Sequence, residues 1–351
     1  MSQDWTVHKF GGASLAGTDE FRRVADILLS DVSSRQAVVV SASYGVTDRL
    51  LSLLALATKE PSQLESHLDG LRSHHESLAA DLLSGDRLND YREAIFADLA
   101  TISSILEAIK LLRSAPHEAA SLVSGYGEVW SARLLASLLQ ERGQSARWLH
   151  AGGVLTVEQA ELGPVVNWKT SRKRLSKRMQ DDDSLLVITG YVARSADGAP
   201  TTLGRNGSDF SASIFAALLN AKSVVIWTDV DGVMSGDPRQ VREASVIPDL
   251  SYNEAMELAY FGARVIHPGT MAPLVERGIP VFIRNSFRPE EPGTCISPDG
   301  GEGNRVKGIT TIDGMALLNL EGAGMIGVPG TADRLFGALR EAGISVVVIS
   351  Q

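Results

Sequence analysis

Short apolar strands alternate with longer stretches of helical spacing, and this alternation restricts the fold more than any single motif does. Residues 7–10 read as a strand entering the turn Gly11-Gly12, and helical spacing follows over 19–29. A β-branched strand at 37–40 ends in Ser41-Ala42-Ser43 and leads into a helix over 46–58. Helical spacing fills 64–112, with a break near Ser84-Gly85-Asp86, and then 118–142, where Gly143 suits a C-cap. Strand candidates follow at 147–149, 185–189, 223–227 and 281–283, with Asp197-Gly198 as a turn between two short strands. Helices are expected at 209–219, 255–261 and 271–277. Strands joined through helices imply an α/β fold with a largely parallel sheet.

Composition narrows the function. The chain has 351 residues, of which 44% are hydrophobic and 21% charged, as in a globular protein of one large or two ordinary domains. Its net charge of −9 argues against non-specific nucleic-acid binding, which needs a basic footprint. The one basic run, 169–178, reads as a solvated helix face. No apolar run spans a bilayer, and the polar start at 1–6 leads straight into a strand, so no membrane partner and no secretory leader are expected. Cys295 is the single cysteine, which excludes an intrachain disulfide and a cysteine-based zinc site and fits a reducing cytoplasm. No residues are assigned to a protein-held metal.

One motif is a decoy. The segment 322–327 matches GxGxxG, but only 24 residues follow it and Pro329-Gly330 interrupts the helix that a dinucleotide fold requires. The P-loop pattern and the protein-kinase motifs are absent.

Three clusters carry phosphate chemistry instead. Lys9-Phe10-Gly11-Gly12 sets a lysine at the end of a strand, before glycines whose N–H groups can approach phosphate oxygens. A lysine there neutralises charge on a transferred phosphoryl group. The alternative is a plain strand-to-helix turn. The segment 203–209 places Arg205, Gly207, Ser208 and Asp209 at a loop-to-helix junction. Arg205 suits a carboxylate, and Asp209 is placed to orient Lys9 or a substrate ammonium, with helix capping by Ser208 or Asp209 as the bland reading. Trp227-Thr228-Asp229 ends a further strand on the same side of the sheet, where open α/β sheets bind ligands. Glu128, in Ser124-Gly125-Tyr126-Gly127-Glu128, is a candidate for an amino group or a favourable acid in a first helical turn.

Together these segments resemble the aspartate kinases of the amino-acid kinase fold. The resemblance rests on Lys9 to Ser14, Gly127-Glu128, 203–209, 227–232, Asp237-Pro238-Arg239 and 261–268, in the family's order across roughly 5–296. It implies a three-layer α/β/α kinase domain over 1–296, a linker over 297–313 and a partial ACT-like β-α-β unit over 314–351. It further implies that Lys9, Gly11, Gly12 and Ser41 grip ATP phosphates, with Lys9 and Asp209 catalytic. Thr47, Glu128, Arg205 and Ser208 would hold L-aspartate, and Thr228, Asp229, Met234, Arg239 and Arg264 would line the nucleotide site. The γ-phosphoryl of Mg2+-ATP would pass to the aspartate side chain, in a homodimer or higher homo-oligomer. Three positions depart from the family pattern: Ala13 for threonine, Met234 for tyrosine and Arg264 for lysine. The chain stops about halfway through an ACT unit, which puts feedback by threonine or lysine in question. The alternatives are a glutamate or N-acetylglutamate kinase, or a weakly catalytic regulatory subunit that binds ATP and amino acid.

Overall fold

The computed structural model describes residues 5–31, 35–161, 163–179, 183–261, 267–301, 306–322 and 329–350. In chain order its elements begin with β1 (Trp5–Phe10), α1 (Thr18–Ser30), β2 (Arg35–Val40), α2 (Val46–Lys59), α3 (Leu64–Leu82), α4 (Gly85–Leu112) and α5 (His117–Glu141). Next come β3 (Ala146–Leu149), the hairpin β4 (Val157–Ala160) and β5 (Gly163–Val166), α6 (Trp168–Arg178), β6 (Leu185–Thr189) and a second hairpin, β7 (Val192–Arg194) with β8 (Pro200–Thr202). The remainder is α7 (Gly207–Leu219), β9 (Ser223–Thr228), β10 (Asp249–Ser251), α8 (Tyr252–Tyr260), α9 (Pro268–Val275), β11 (Val281–Asn285), β12 (Thr294–Ser297) and α10 (Thr331–Glu341). The chain divides into two units, Met1–Thr311 and Ile312–Gln351.

Eight strands form the main sheet of the first unit, in the order β10-β12-β11-β9-β1-β2-β6-β3. Every pairing is parallel except β11 with β12. A parallel sheet covered on both faces selects strands that are apolar throughout, and β1 and β6 are buried at every position. Side chains along β1 and β2 alternate between two cores. Phe10, Val38 and Val40 join helices α1 to α5, whereas Val7, Ala37 and Val39 join the α7 and α9 side. That period of two sends His8 toward the end of α1, where Nε2 lies 3.1 Å from Asp31, and Lys9 toward α7. The expected three-layer α/β/α architecture is present.

Most expected elements form where predicted. The break near Gly85 separates α3 from α4, and Gly143 (φ 83) closes α5 while the Gln144 N–H donates to the Leu139 carbonyl at 3.0 Å. The basic run forms α6, capped by Asn167, whose Oδ1 accepts from the Thr170 N–H. The segment 289–304 is rich in Gly, Pro and acidic residues and is expected from sequence to be a linker, but it contains β12. Gly293 (φ 74) permits the tight approach to Ile283, and the buried Thr294 hydroxyl donates to the Ile247 carbonyl while accepting from the Val233 N–H. Four residues among turn formers are too few to show a period. Within the expected linker over 297–313, residues 306–311 belong to the first unit, where Lys307 Nζ lies 3.0 Å from Glu254 and the Ile309 N–H donates to the Ser235 carbonyl at 2.9 Å.

The second unit contains α10 of the expected β-α-β arrangement. Neither 315–320 nor 345–349 forms a strand, and Leu317, Leu318, Val348 and Ile349 are exposed. A strand needs a neighbouring ladder, which apolar residues in one segment do not supply. Positions 323–327 of the glycine decoy lie outside the described residues. Among the described residues no helix is long and apolar enough to cross a membrane.

A buried polar group under α5 gives this fold an acid-sensitive point. His75 packs edge-on against Trp130 at 4.7 Å, and its Nδ1 lies 3.2 Å from the Tyr91 hydroxyl. Burial, then the neighbouring His74 and Arg49, push the His75 imidazole down to about 3 from 6.5. The unfolded chain therefore binds a proton at a higher pH than the native one does, and stability falls as pH drops from about 6.5 toward 3. His75→Phe should move the acid-unfolding midpoint, followed by circular dichroism, to lower pH.

Candidate active site

The carboxyl ends of β1, β2 and β6 meet the first turn of α7 around a cleft of about 400 Å³. Lys9, Gly11, Gly12, Ser41, Thr47, Glu128, Ser208 and Asp209 all line it, so eight sequence candidates from four separate stretches converge. Lys9, 9% exposed, places Nζ 2.6 Å from Asp209 Oδ1. The Ser41 hydroxyl donates to Ser208 Oγ at 2.9 Å and so joins the end of β2 to α7. Gly12 allows close packing, since a Cβ there would sit 3.1 Å from the Ala42 carbonyl oxygen. Neither Ser208 nor Asp209 caps α7: Asn206 occupies the N-cap in the left-handed region (φ 55) and makes no side-chain cap. Ser208 and Asp209 therefore lie inside the helix and face the cleft.

Glu128 reaches the site by a different route. It lies well inside α5 rather than in a first turn, and it is 4% exposed. Two helical glycines bring α5 close enough. A Cβ on Gly127 would meet Ala42 Cβ at 2.6 Å, and one on Gly125 would meet Val192 Cγ1 at 2.5 Å. Burial pushes the Glu128 carboxyl up to about 8, although backbone N–H groups at Glu128 and Ala42 offset part of that cost. Its Oε2 has no hydrogen-bond partner among the described residues. A buried carboxylate oxygen left open beside a cleft is a receptor for a cation or a donor.

Other candidates sit farther out. Arg205 is exposed and does not line the cleft, although its neighbours Gly204 and Asn206 do. Thr228 ends β9 and Asp229 follows it; β9 pairs with β1, so both lie next to the Gly11 turn, and the Thr228 hydroxyl donates to Asp229 at 3.1 Å. Met234 is half-buried on the loop after β9, and Arg239 is exposed, paired with Asp237 at 2.7 Å. That guanidinium holds the Asp237 carboxyl below the usual range. Arg264 lies outside the described residues.

Sequence reasoning missed Tyr44, Asp48, Tyr191 and Asn206, which also line the cleft. It also missed a clasp behind the glycine turn. Buried Ser14 Oγ lies 2.9 Å from Ser286 Oγ, and the Ser286 N–H donates to the Thr228 carbonyl at 2.9 Å, which ties three strand ends together. Nothing local marks Ser286, since its role depends on β11 lying beside β9. Only the left-handed glycines, Gly45 and Gly204, signal that these loops need unusual backbone.

Gly190 shows how tightly the wall is built. A Cβ there would lie 2.7 Å from Ser208 Cβ and 2.9 Å from the Val40 carbonyl oxygen. Gly190→Ala should cost about 1–3 kcal/mol in denaturant unfolding, because backbone on one side cannot yield.

The fold and cleft define an α/β protein with a site built at the carboxyl ends of parallel strands, and comparison with known proteins gives its family. The amino acid kinase family model matches residues 4–285, and an ACT domain model matches 318–351. The chain belongs to the amino acid kinase family, and proteins named as aspartokinases are among its relatives. It is 41% identical to the bifunctional aspartokinase/homoserine dehydrogenase 2 of Arabidopsis thaliana, over 99% of this chain and 39% of that protein. The bifunctional enzyme of Haemophilus influenzae is 36% identical over 98% of this chain and 43% of its own. This chain thus spans about two fifths of the length of those relatives. E. coli aspartokinase III, solved with aspartate and ADP, superposes with a TM-score of 0.78 at 30% identity, over 99% of this chain and 76% of that one.

Proposed function

We propose that this chain is an aspartate kinase, which transfers the γ-phosphoryl group of ATP to the side-chain carboxylate of L-aspartate to give 4-phospho-L-aspartate. The observation that carries the reading is the Lys9–Asp209 pair at 2.6 Å beside Gly11 and Gly12, in the same cleft as the open carboxyl of Glu128. The relatives named as aspartokinases support it.

In this reading the aspartate ammonium lies against Glu128, and Thr47 and Ser208 hold its carboxylates. Arg205, on the exposed loop at the rim, swings in to a carboxylate. The nucleotide enters along the ends of β1 and β9, with Gly11, Gly12 and Ser41 at its phosphates and Thr228, Asp229, Met234, Arg239 and Arg264 along its base and ribose. A carboxylate oxygen of aspartate attacks Pγ, the bond from Pγ to the β,γ-bridging oxygen breaks, and ADP leaves with that electron pair. The acceptor is already an anion, so no proton is removed and no general base is needed. Lys9, held by Asp209, offsets the charge on the oxygens around Pγ, and positioning supplies the rest of the rate.

Among the described residues no group of three or more His, Cys, Asp or Glu forms a protein cage for a metal. Asp229, just past the end of β9, is the carboxylate that would face Mg2+ carried on the nucleotide phosphates, with water completing the shell. When bound, the ion neutralises phosphate charge. A homo-oligomer and a reducing, cytoplasmic setting remain part of the proposal, the latter resting on the single cysteine; the plant relatives are chloroplastic by name.

Hydroxylamine trapping tests the reading. The purified chain with Mg2+-ATP should yield hydroxamate from L-aspartate and none from L-glutamate or N-acetylglutamate. ATP binding without hydroxamate would point to the regulatory alternative.

A further inference from the structure

Four non-glycine residues among those described have a left-handed backbone: Arg113, Tyr191, Asn206 and Asn220. Arg113 and Asn220 are helix C-caps, where that conformation is common, and Asn206 is an asparagine, one of the residue types that tolerate it best. Tyr191 is none of these. It is the centre of a three-residue turn in which the Val192 N–H donates to the Gly190 carbonyl at 2.6 Å, with φ 66. A γ-turn of that hand is the rare and strained form, and for a bulky side chain the left-handed region is an outlier.

Strain of this kind persists only where the surroundings over-determine it. Here the Tyr191 N–H donates to Ser211 Oγ at 3.0 Å, and its carbonyl accepts from the Leu203 N–H at 2.8 Å. Ser211 Oγ in turn donates to the Gly207 carbonyl at 2.9 Å. The ring lies against the first turn of α7, where a Cβ on Gly207 would sit 2.9 Å from Tyr191 Cδ2. These contacts place Tyr191 in the cleft wall with Thr47, Glu128 and Ser208. Its hydroxyl has no hydrogen-bond partner among the described residues, so it keeps a donor free in the cleft.

We propose that Tyr191 is a specificity-determining residue: its strained turn holds the phenol over the first turn of α7, where the hydroxyl donates a hydrogen bond to a carboxylate of the amino-acid acceptor. This rests on the kinase reading above. A turn serving the fold alone would be met more cheaply by glycine, which adopts this conformation without strain. A tyrosine retained there points to a use for the side chain.

Tyr191→Phe keeps the ring and removes only the hydroxyl. The KM for L-aspartate should rise roughly tenfold, as for loss of one hydrogen bond to a charged group, while kcat and the KM for ATP stay within about twofold. The same loss should appear in calorimetric titration of aspartate without turnover. Tyr191→Gly relieves the backbone but also removes the ring's packing, so its aspartate binding should weaken at least as much as that of Tyr191→Phe. An unchanged aspartate KM and affinity in Tyr191→Phe, or a rise confined to ATP, overturns the inference. So does a Tyr191→Gly variant that binds aspartate normally. Failure of the kinase reading shows differently, as a wild-type chain that makes no hydroxamate.

Discussion

Lys9→Ala lowers kcat by roughly 10³-fold, on the scale seen when one preorganised donor to developing negative charge is removed. The expectation follows from position. Lys9 is nearly buried, it occupies the last turn-facing position of β1, and Asp209 holds it at 2.6 Å. Fold should survive, because the β1 backbone pairs with β2 and β9 along its whole length. The substitution also leaves the Asp209 carboxylate without its cation, which costs stability. Lys9→Ala combined with Asp209→Asn should therefore regain stability in urea unfolding without regaining hydroxamate formation. Full turnover by Lys9→Ala would remove Lys9 from the chemistry.

Glu128→Ala raises the KM for L-aspartate by roughly 10²-fold, since it deprives a buried ammonium of its charged partner. The KM for ATP should move little, because Glu128 approaches the cleft from α5, beside Ala42, and not from the Gly11 turn. A pH effect accompanies it. Burial holds the Glu128 carboxyl up at about 8, so below that pH the free protein carries a proton on it. Ammonium binding favours the ionised form, so aspartate affinity should strengthen as pH rises toward about 8 and flatten above it. Stability runs the other way. The native carboxyl titrates above its unfolded value of 4.5, so its contribution is fully present below 4.5 and is lost as pH rises through about 8. Glu128→Gln should remove both dependences, which affinity measurements and urea unfolding across that range would check.

The strands and helices were legible because each carries its own period. Val38, Val39 and Val40 mark a strand covered on both faces, and the break at Gly85 and the cap at Gly143 are local chemistry. The linker reading of 289–304 failed at β12, because Thr294 and Ile296 acquire their buried face from β10 and β11, which lie elsewhere in the chain. The tail is the converse case: its apolar residues suggest strands, but strands also need a partner.

For the site, the residue types were visible in the sequence, and the Lys9–Asp209 contact stood as one of two readings of Asp209. Lys9 with its glycines, and Ser208 with Asp209, carry phosphate chemistry on their faces, since charge beside flexible backbone has few other uses. The pairing of Lys9 with Asp209 across 200 residues follows from β1 lying under α7, which only the folded sheet decides. Glu128 lay in a helix by any reading. Its burial, its open oxygen and its raised titration exist because Gly125 and Gly127 let α5 pack onto β7 and the end of β2. Tyr191 gave no signal at all: a left-handed backbone at a tyrosine is imposed by a hydrogen bond from the Leu203 N–H and one to the Ser211 hydroxyl, and propensity alone predicts the opposite.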